Sequence, residues 1–211
     1  MSANEMDEVQ AVTAAATAAQ AVQEERVSAA ARDGLDVLLQ QALRSSLVPS
    51  GCQAAFAVLD DISHVQEKKM VVLTLSSYLF RMVVMFHFSA DAATRAHFAR
   101  LHNVAAAEMS AQGLLDAIAE CGNLCCGIFN RELGRYFPHL GMSTPNVIDR
   151  QCAAYLQKLN CAHIRHFAID LAELPESPRF HVSLCVSAYA PLDFAVAAEE
   201  QVDTTGELEL F

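Results

Sequence analysis

Between residues 113 and 136 the apolar positions recur at intervals of three and four: Leu115, Ile118, Gly122, Cys125, Phe129 and Leu133. That spacing predicts one buried helix face, and no proline interrupts it. Asp116, Glu120, Asn123, Gly127 and Asn130 fall on the other side, in a stripe roughly 80° wide at 3.6 residues per turn. Positions three and four apart are surface neighbours, so Glu120 and Asn123 present a carboxylate and a carboxamide side by side. A glycine inside a helix costs about 1 kcal/mol relative to alanine, so the two here need a reason. Gly122, on the apolar side, predicts close packing on a sheet. Gly127, in the polar stripe, leaves room for another molecule to approach the backbone. The same pattern also fits a solvated polar face with small residues chosen for packing.

Elsewhere the pattern alternates between helical and extended. Leu35, Leu38, Leu39, Ala42 and Leu43 predict an amphipathic helix over 35–47. Arg32-Asp33-Gly34 before it reads as a boundary. The apolar run 52–59 predicts a strand and 60–69 a polar loop. Runs 70–75 and 78–88, rich in Val, Leu, Phe and Met, predict a mostly buried hairpin. Ser89-Ala90-Asp91 can cap a helix over 92–103, and 149–159 reads as a short helix. A final hairpin pairs 165–171 with 179–188. The expected fold is α/β (α+β): a mixed, largely antiparallel sheet with two longer helices, 91–103 and 113–136, packed on one face. The domain spans 35–198, between an Ala-rich extension over 1–34, helical or partly disordered, and an acidic tail over 199–211.

Composition narrows the function. A hydrophobic content of 53% in 211 residues supplies a sizeable core. The net charge of −11 argues against nucleic acid and anionic membrane as partners, since both need Lys/Arg patches. No run approaches the ~18 apolar residues of a membrane span, and the acidic start lacks the character of a signal peptide, so a cytoplasmic location is expected. Seven cysteines are not a disulfide framework. Cys121 and Cys125 are spaced to share an ion, but no Cys-x-x-Cys pair accompanies them, and small thiols packing against a sheet are expected instead. His163 and His166 are expected as packing or surface residues. The chain has no Gly-rich phosphate loop, Gly-x-Ser-x-Gly or His-Glu-x-x-His, and no metal site of its own is expected.

Asp116-x-x-x-Glu120-x-x-Asn123, followed by Gly127 and by Ser143-Thr144-Pro145-Asn146-Val147-Ile148, resembles the CheC/CheX family of chemotaxis phosphatases. The resemblance runs from about residue 35 to 196, and the single Glu-x-x-Asn helix is as in the CheX branch. It implies a phosphatase acting on the aspartyl phosphate of a response regulator with a CheY-like receiver domain. Asn123 would orient the attacking water and Glu120 would pair with the regulator's lysine. Asp116 would contribute at the edge, with Gly127 and Asn130 also facing the partner. The chain would need no cofactor, because the Mg²⁺ comes with the phosphorylated partner. A homodimer joined at sheet edges or by flanking helices is also implied. Two other readings stay open: a non-catalytic module of the same fold that binds a signalling partner or dimerises, and a Cys-dependent metal or redox protein. The extension and tail depart from the compact family domain and bear on the choice of regulator.

Overall fold

Five apolar strands of six to ten residues bury their shared face most economically as an antiparallel sheet covered by helices. The computed structural model describes residues 25–171 and 178–197, with the backbone alone over 154–158. Most of the N-terminal extension, the acidic tail and the turn of the last hairpin lie outside the described residues. Within them the strands are β1 (Ala54–Leu59), β2 (Lys69–Ser76), β3 (Phe80–Phe88), β4 (Gly141–Met142), β5 (Asn146–Asp149), β6 (His163–Leu171) and β7 (Arg179–Ala188). The sheet order is β1-β6-β7-β3-β2, and both β4 and β5 pair with the outer edge of β2. Every strand pairing is antiparallel; the parallel element is an isolated bridge between Val27 and Leu192.

The two faces of the sheet differ. Val71, Leu73, Val84, Phe86, Phe167, Ile169, Val182 and Leu184 join the main core under the helices. The alternate positions turn the other way. Met70, Met85, Cys161 and Cys185 form a second, smaller cluster there. The 3-10 helix Arg150–Leu159 is the short helix expected over 149–159, in its tighter form.

Three α-helices are described: α1 (Ala29–Leu47), α2 (Ala92–Leu101) and α3 (Ala111–Leu133). Each N-terminus is capped by a side chain accepting from a backbone N–H: Ser28 from Ala31, Asp91 from Thr94 and Ser110 from Gly113. The helices at 92–101 and 111–133 touch each other, but the two longer helices described are α1 and α3, not the pair expected at 91–103 and 113–136, and the principal partner of α3 is α1. Helix α1 also begins earlier than its apolar pattern, at Ala29. Arg32-Asp33-Gly34 is therefore not a break but the interior of a helix. Gly34 is buried beneath Phe194, and a Cβ there would stand 2.9 Å from the Phe194 ring. The glycine meets a packing demand, not a chain reversal. Among the described residues no helix is long and apolar enough to cross a membrane.

Candidate functional site

The site is built on α3. Its buried residues are Leu114, Ala117, Ile118, Cys121, Gly122, Cys125, Cys126, Phe129 and Leu133. Gly122 lies directly on the sheet: a Cβ there would meet Leu73 Cδ1 at 3.1 Å, Val71 Cγ1 at 3.3 Å and Phe86 Cδ2 at 3.5 Å. Leu115, expected in the buried face, is half-buried at its border. The three cysteines of α3 are all buried. Burial pushes the Cys121 and Cys126 thiols up to about 12 and raises Cys125 as well. They stay protonated at neutral pH, without the thiolate that nucleophilic or metal chemistry uses. Among the described residues no group of three His, Cys, Asp or Glu side chains converges to hold a metal ion.

Lying opposite the buried face, Asp116, Glu120, Asn123 and Asn130 are expected to be solvent-exposed. Asp116 and Glu120 are exposed, whereas Asn123, Gly127 and Asn130 are half-buried. The difference comes from β4 and β5, which extend the sheet past β2 and pack beside α3. Within the stripe, Gln112 Nε2 donates to Asp116 Oδ1 at 2.8 Å and Asn123 Nδ2 donates to Glu120 Oε2 at 3.4 Å. The second bond is long for N–H···O, so a stronger partner displaces it at small cost. Asn130 Oδ1 is buried and accepts no hydrogen bond among the described residues. At Gly127 an added Cβ would meet nothing within 4 Å, leaving the backbone open beside Asn123.

The Ser143-Thr144-Pro145 block frames this face. Ser143 brackets Thr74 of β2: its N–H donates to the Thr74 carbonyl at 2.9 Å, and its hydroxyl accepts from the Thr74 N–H at 3.0 Å. Pro145 then leads into β5 on the outer edge, where a missing N–H is tolerated. Large apolar side chains remain exposed on all three elements: Leu124 at 49%, Met142 at 38% and Val147 at 39%. Apolar rims of this kind beside polar groups suit protein contact.

The opposite sheet face carries a polar cluster that reading the chain segment by segment missed. His181 Nδ1 and Glu67 Oε1 stand 2.5 Å apart, and Ser183 Oγ lies 3.1 Å from His87 Nε2 and 2.7 Å from His166 Nδ1. Burial is the largest influence on Glu67 and opposes its charge, but the His181 hydrogen bond, a backbone hydrogen bond and the nearby His181 and His87 rings together hold the carboxyl below its ordinary value. Burial pushes His87 down to about 4 and also lowers His166. The signal available was the i, i+2 spacing of His181 and Ser183 on one strand. His163 is buried near Asp36, a packing role as expected.

No family model and no curated protein sequence matches the chain. Solved structures do. A chain of the CheX-CheY-BeF₃-Mg²⁺ complex from Borrelia burgdorferi is similar at 11% identity over 74% of this chain and 96% of that one, with a TM-score of 0.53. A CheC-like superfamily protein from Shewanella sp. PV-4 is similar at 8% identity, 74% and 96% coverage, with a TM-score of 0.51. The chemotaxis protein CheX from Vibrio vulnificus is similar at 11% identity, 74% and 97% coverage, with a TM-score of 0.51. At such identities the likeness is one of fold. It includes both CheC-like and CheX proteins and does not separate the two branches.

Proposed function

On this CheC/CheX fold, we propose that the chain is a phosphatase for the aspartyl phosphate of a CheY-like receiver domain, with α3 as its docking and catalytic face. The observation that carries the reading is the arrangement of Glu120 and Asn123. They stand side by side on an accessible helix face, next to a glycine that leaves the backbone open. The similarity to a chain solved in a CheX-CheY complex supports a receiver as partner.

The chemistry asks little of the protein. Water attacks phosphorus in line with the aspartyl oxygen, the P–O bond breaks, and the receiver recovers its carboxylate while phosphate takes up the water's protons. The Asn123 carboxamide both donates and accepts hydrogen bonds and does not titrate, so it can hold that water at any neutral pH. The Glu120 carboxylate pairs with a lysine of the receiver, which releases the long bond from Asn123 and frees the amide for water. Asp116 accepts a hydrogen bond at the rim, and Asn130, with its unsatisfied Oδ1, lines the far end of the contact. Mg²⁺ is the receiver's own and arrives with the substrate. The single Glu-x-x-Asn helix makes this a one-site, CheX-type enzyme, working in the cytoplasm where receivers are phosphorylated.

The same reading places a second copy at β1. That strand ends the sheet on the side away from β4 and β5, with Ala55, Ala57 and Val58 exposed. An uncovered edge favours pairing, and pairing there leaves α3 free.

The test is phosphate release from a phosphorylated stand-alone receiver. Asn123→Ala is expected to lose on the order of 10²-fold or more in rate with an unchanged unfolding temperature. Full activity in that variant would remove Asn123 from the chemistry, whereas no phosphate release by the unaltered chain would leave only a binding module of the same fold.

A further inference from the structure

On the sheet face away from α3, an open cavity of about 620 Å³ lies between the loop before β2 and the segment after β5. That is ligand-sized, within the range of about 300–1,000 Å³ usual for small-molecule sites. Ile62 and Ala153 give it an apolar floor, and its polar lining includes Gln66, Lys68, Arg150 and Gln151.

Charge pairing around the cavity is one-sided. Two carboxylates line it, and each already has a partner: Glu67 Oε1 lies 2.5 Å from the His181 ring nitrogen, and Asp149 forms an ion pair with Lys69 at 2.7 Å. The two lining cations have no such partner. Lys68 forms no ion pair among the described residues, and the Arg150 guanidinium donates to a neutral acceptor, the Ile62 carbonyl, at 2.6 Å. The two are also neighbours across the β2–β5 ladder. Lys69 pairs with Asp149 in register, and the Arg150 N–H donates to the Lys68 carbonyl at 3.0 Å. Like charges at adjoining ladder positions repel each other. In a chain of net charge −11, an uncompensated cation pair at the mouth of a cavity calls for an anion.

We propose that this cavity binds a small phosphate-bearing molecule of mononucleotide size, its phosphate held between Arg150 and Lys68. A phosphomonoester carries about −1.5 to −2 charges at neutral pH, which matches the two cations. Arg150 offers a planar fork to two phosphate oxygens, and Lys68 a point charge to the third. The Gln66 and Gln151 amides, without hydrogen bonds among the described residues, are left to read the polar edge of the remainder, with Ile62 and Ala153 beneath it. The site is independent of the phosphatase reading, since no residue of α3 lines it.

The experiment is calorimetric titration of the full chain at fixed ionic strength with adenosine 5′-monophosphate, adenosine and inorganic phosphate. The monophosphate is expected to bind at least about tenfold more tightly than either fragment, the counterpart of about 1.4 kcal/mol. Lys68→Gln should weaken it about tenfold with an unchanged unfolding temperature, because Lys68 is exposed. Arg150→Lys keeps the charge and loses the fork, so it should weaken binding as well. No heat from the monophosphate at millimolar concentration overturns the proposal. So does adenosine binding as tightly as its phosphate, or unchanged affinity in both variants. Phosphate alone binding as tightly as the nucleotide overturns the mononucleotide assignment.

Discussion

Replacing each α3 glycine with alanine separates packing from docking. In a helix interior the change gains about 1 kcal/mol from backbone propensity alone. At Gly127 nothing opposes that gain, since the new methyl group meets nothing within 4 Å. Gly127→Ala is therefore expected to raise stability by up to about 1 kcal/mol, or about 2–4 °C for a domain of this size. At Gly122 the methyl would lie 3.1 Å from Leu73 Cδ1 and 3.3 Å from Val71 Cγ1, both buried side chains without room to swing away. Overpacking costs roughly 1–3 kcal/mol, which cancels or exceeds the propensity gain. Gly122→Ala should fall between neutral and about 2 kcal/mol destabilised. Activity should sort the pair the other way. If the receiver closes over Gly127, its methyl group holds the partner off Asn123, and kcat/KM should drop tenfold or more, while folded Gly122→Ala keeps most of its rate. Thermal or urea unfolding and phosphate release from a phosphorylated receiver measure both. A stabilised Gly127→Ala with full kcat/KM refutes α3 as the docking face. A destabilised one refutes the open position assigned to Gly127.

Glu120→Gln keeps the shape of the side chain and removes its charge. It should lower kcat/KM and flatten its dependence on ionic strength, and an unaltered salt dependence would remove the lysine pairing. Cys125→Ser places a hydroxyl on the buried face and should cost about 1–3 kcal/mol in chemical unfolding, with activity per folded molecule retained. Lost activity at full stability would instead revive thiol chemistry. Acid should weaken the fold before it touches catalysis. His87 and His97 are pushed down to about 4 by burial, so their neutral forms stabilise the fold fully above the ordinary value near 6.5. That contribution is lost as pH falls toward 4, at about 2 kcal/mol per histidine by pH 5. Urea midpoints that do not change between pH 7 and pH 5 would contradict it.

How much of this was legible in the chain depends on how far apart the cooperating residues lie. The α3 stripe was readable because a helix brings Asp116, Glu120, Asn123 and Gly127 together within four turns, and Gly122 announced its sheet contact by its place in the apolar face. The exposure of Asn123 and Asn130 was misjudged because β4 and β5 are two and four residues long, too short for a period to show. Gly34 was misread as a boundary because the ring it accommodates, Phe194, lies at the other end of the chain. The back face was hidden for the same reason on a larger scale. His87 meets Ser183 only through the β3–β7 register, and His166 meets it only through β6–β7. Lys68 and Arg150 become neighbours only when β5 adds to β2. A face drawn from one helix is written in local spacing. A cavity drawn from two strand ends more than eighty positions apart is written in register, which no window of the sequence contains. Chemistry of the second kind therefore emerges only once the strands are paired, and the cation pair at the cavity mouth is the example with the most to test.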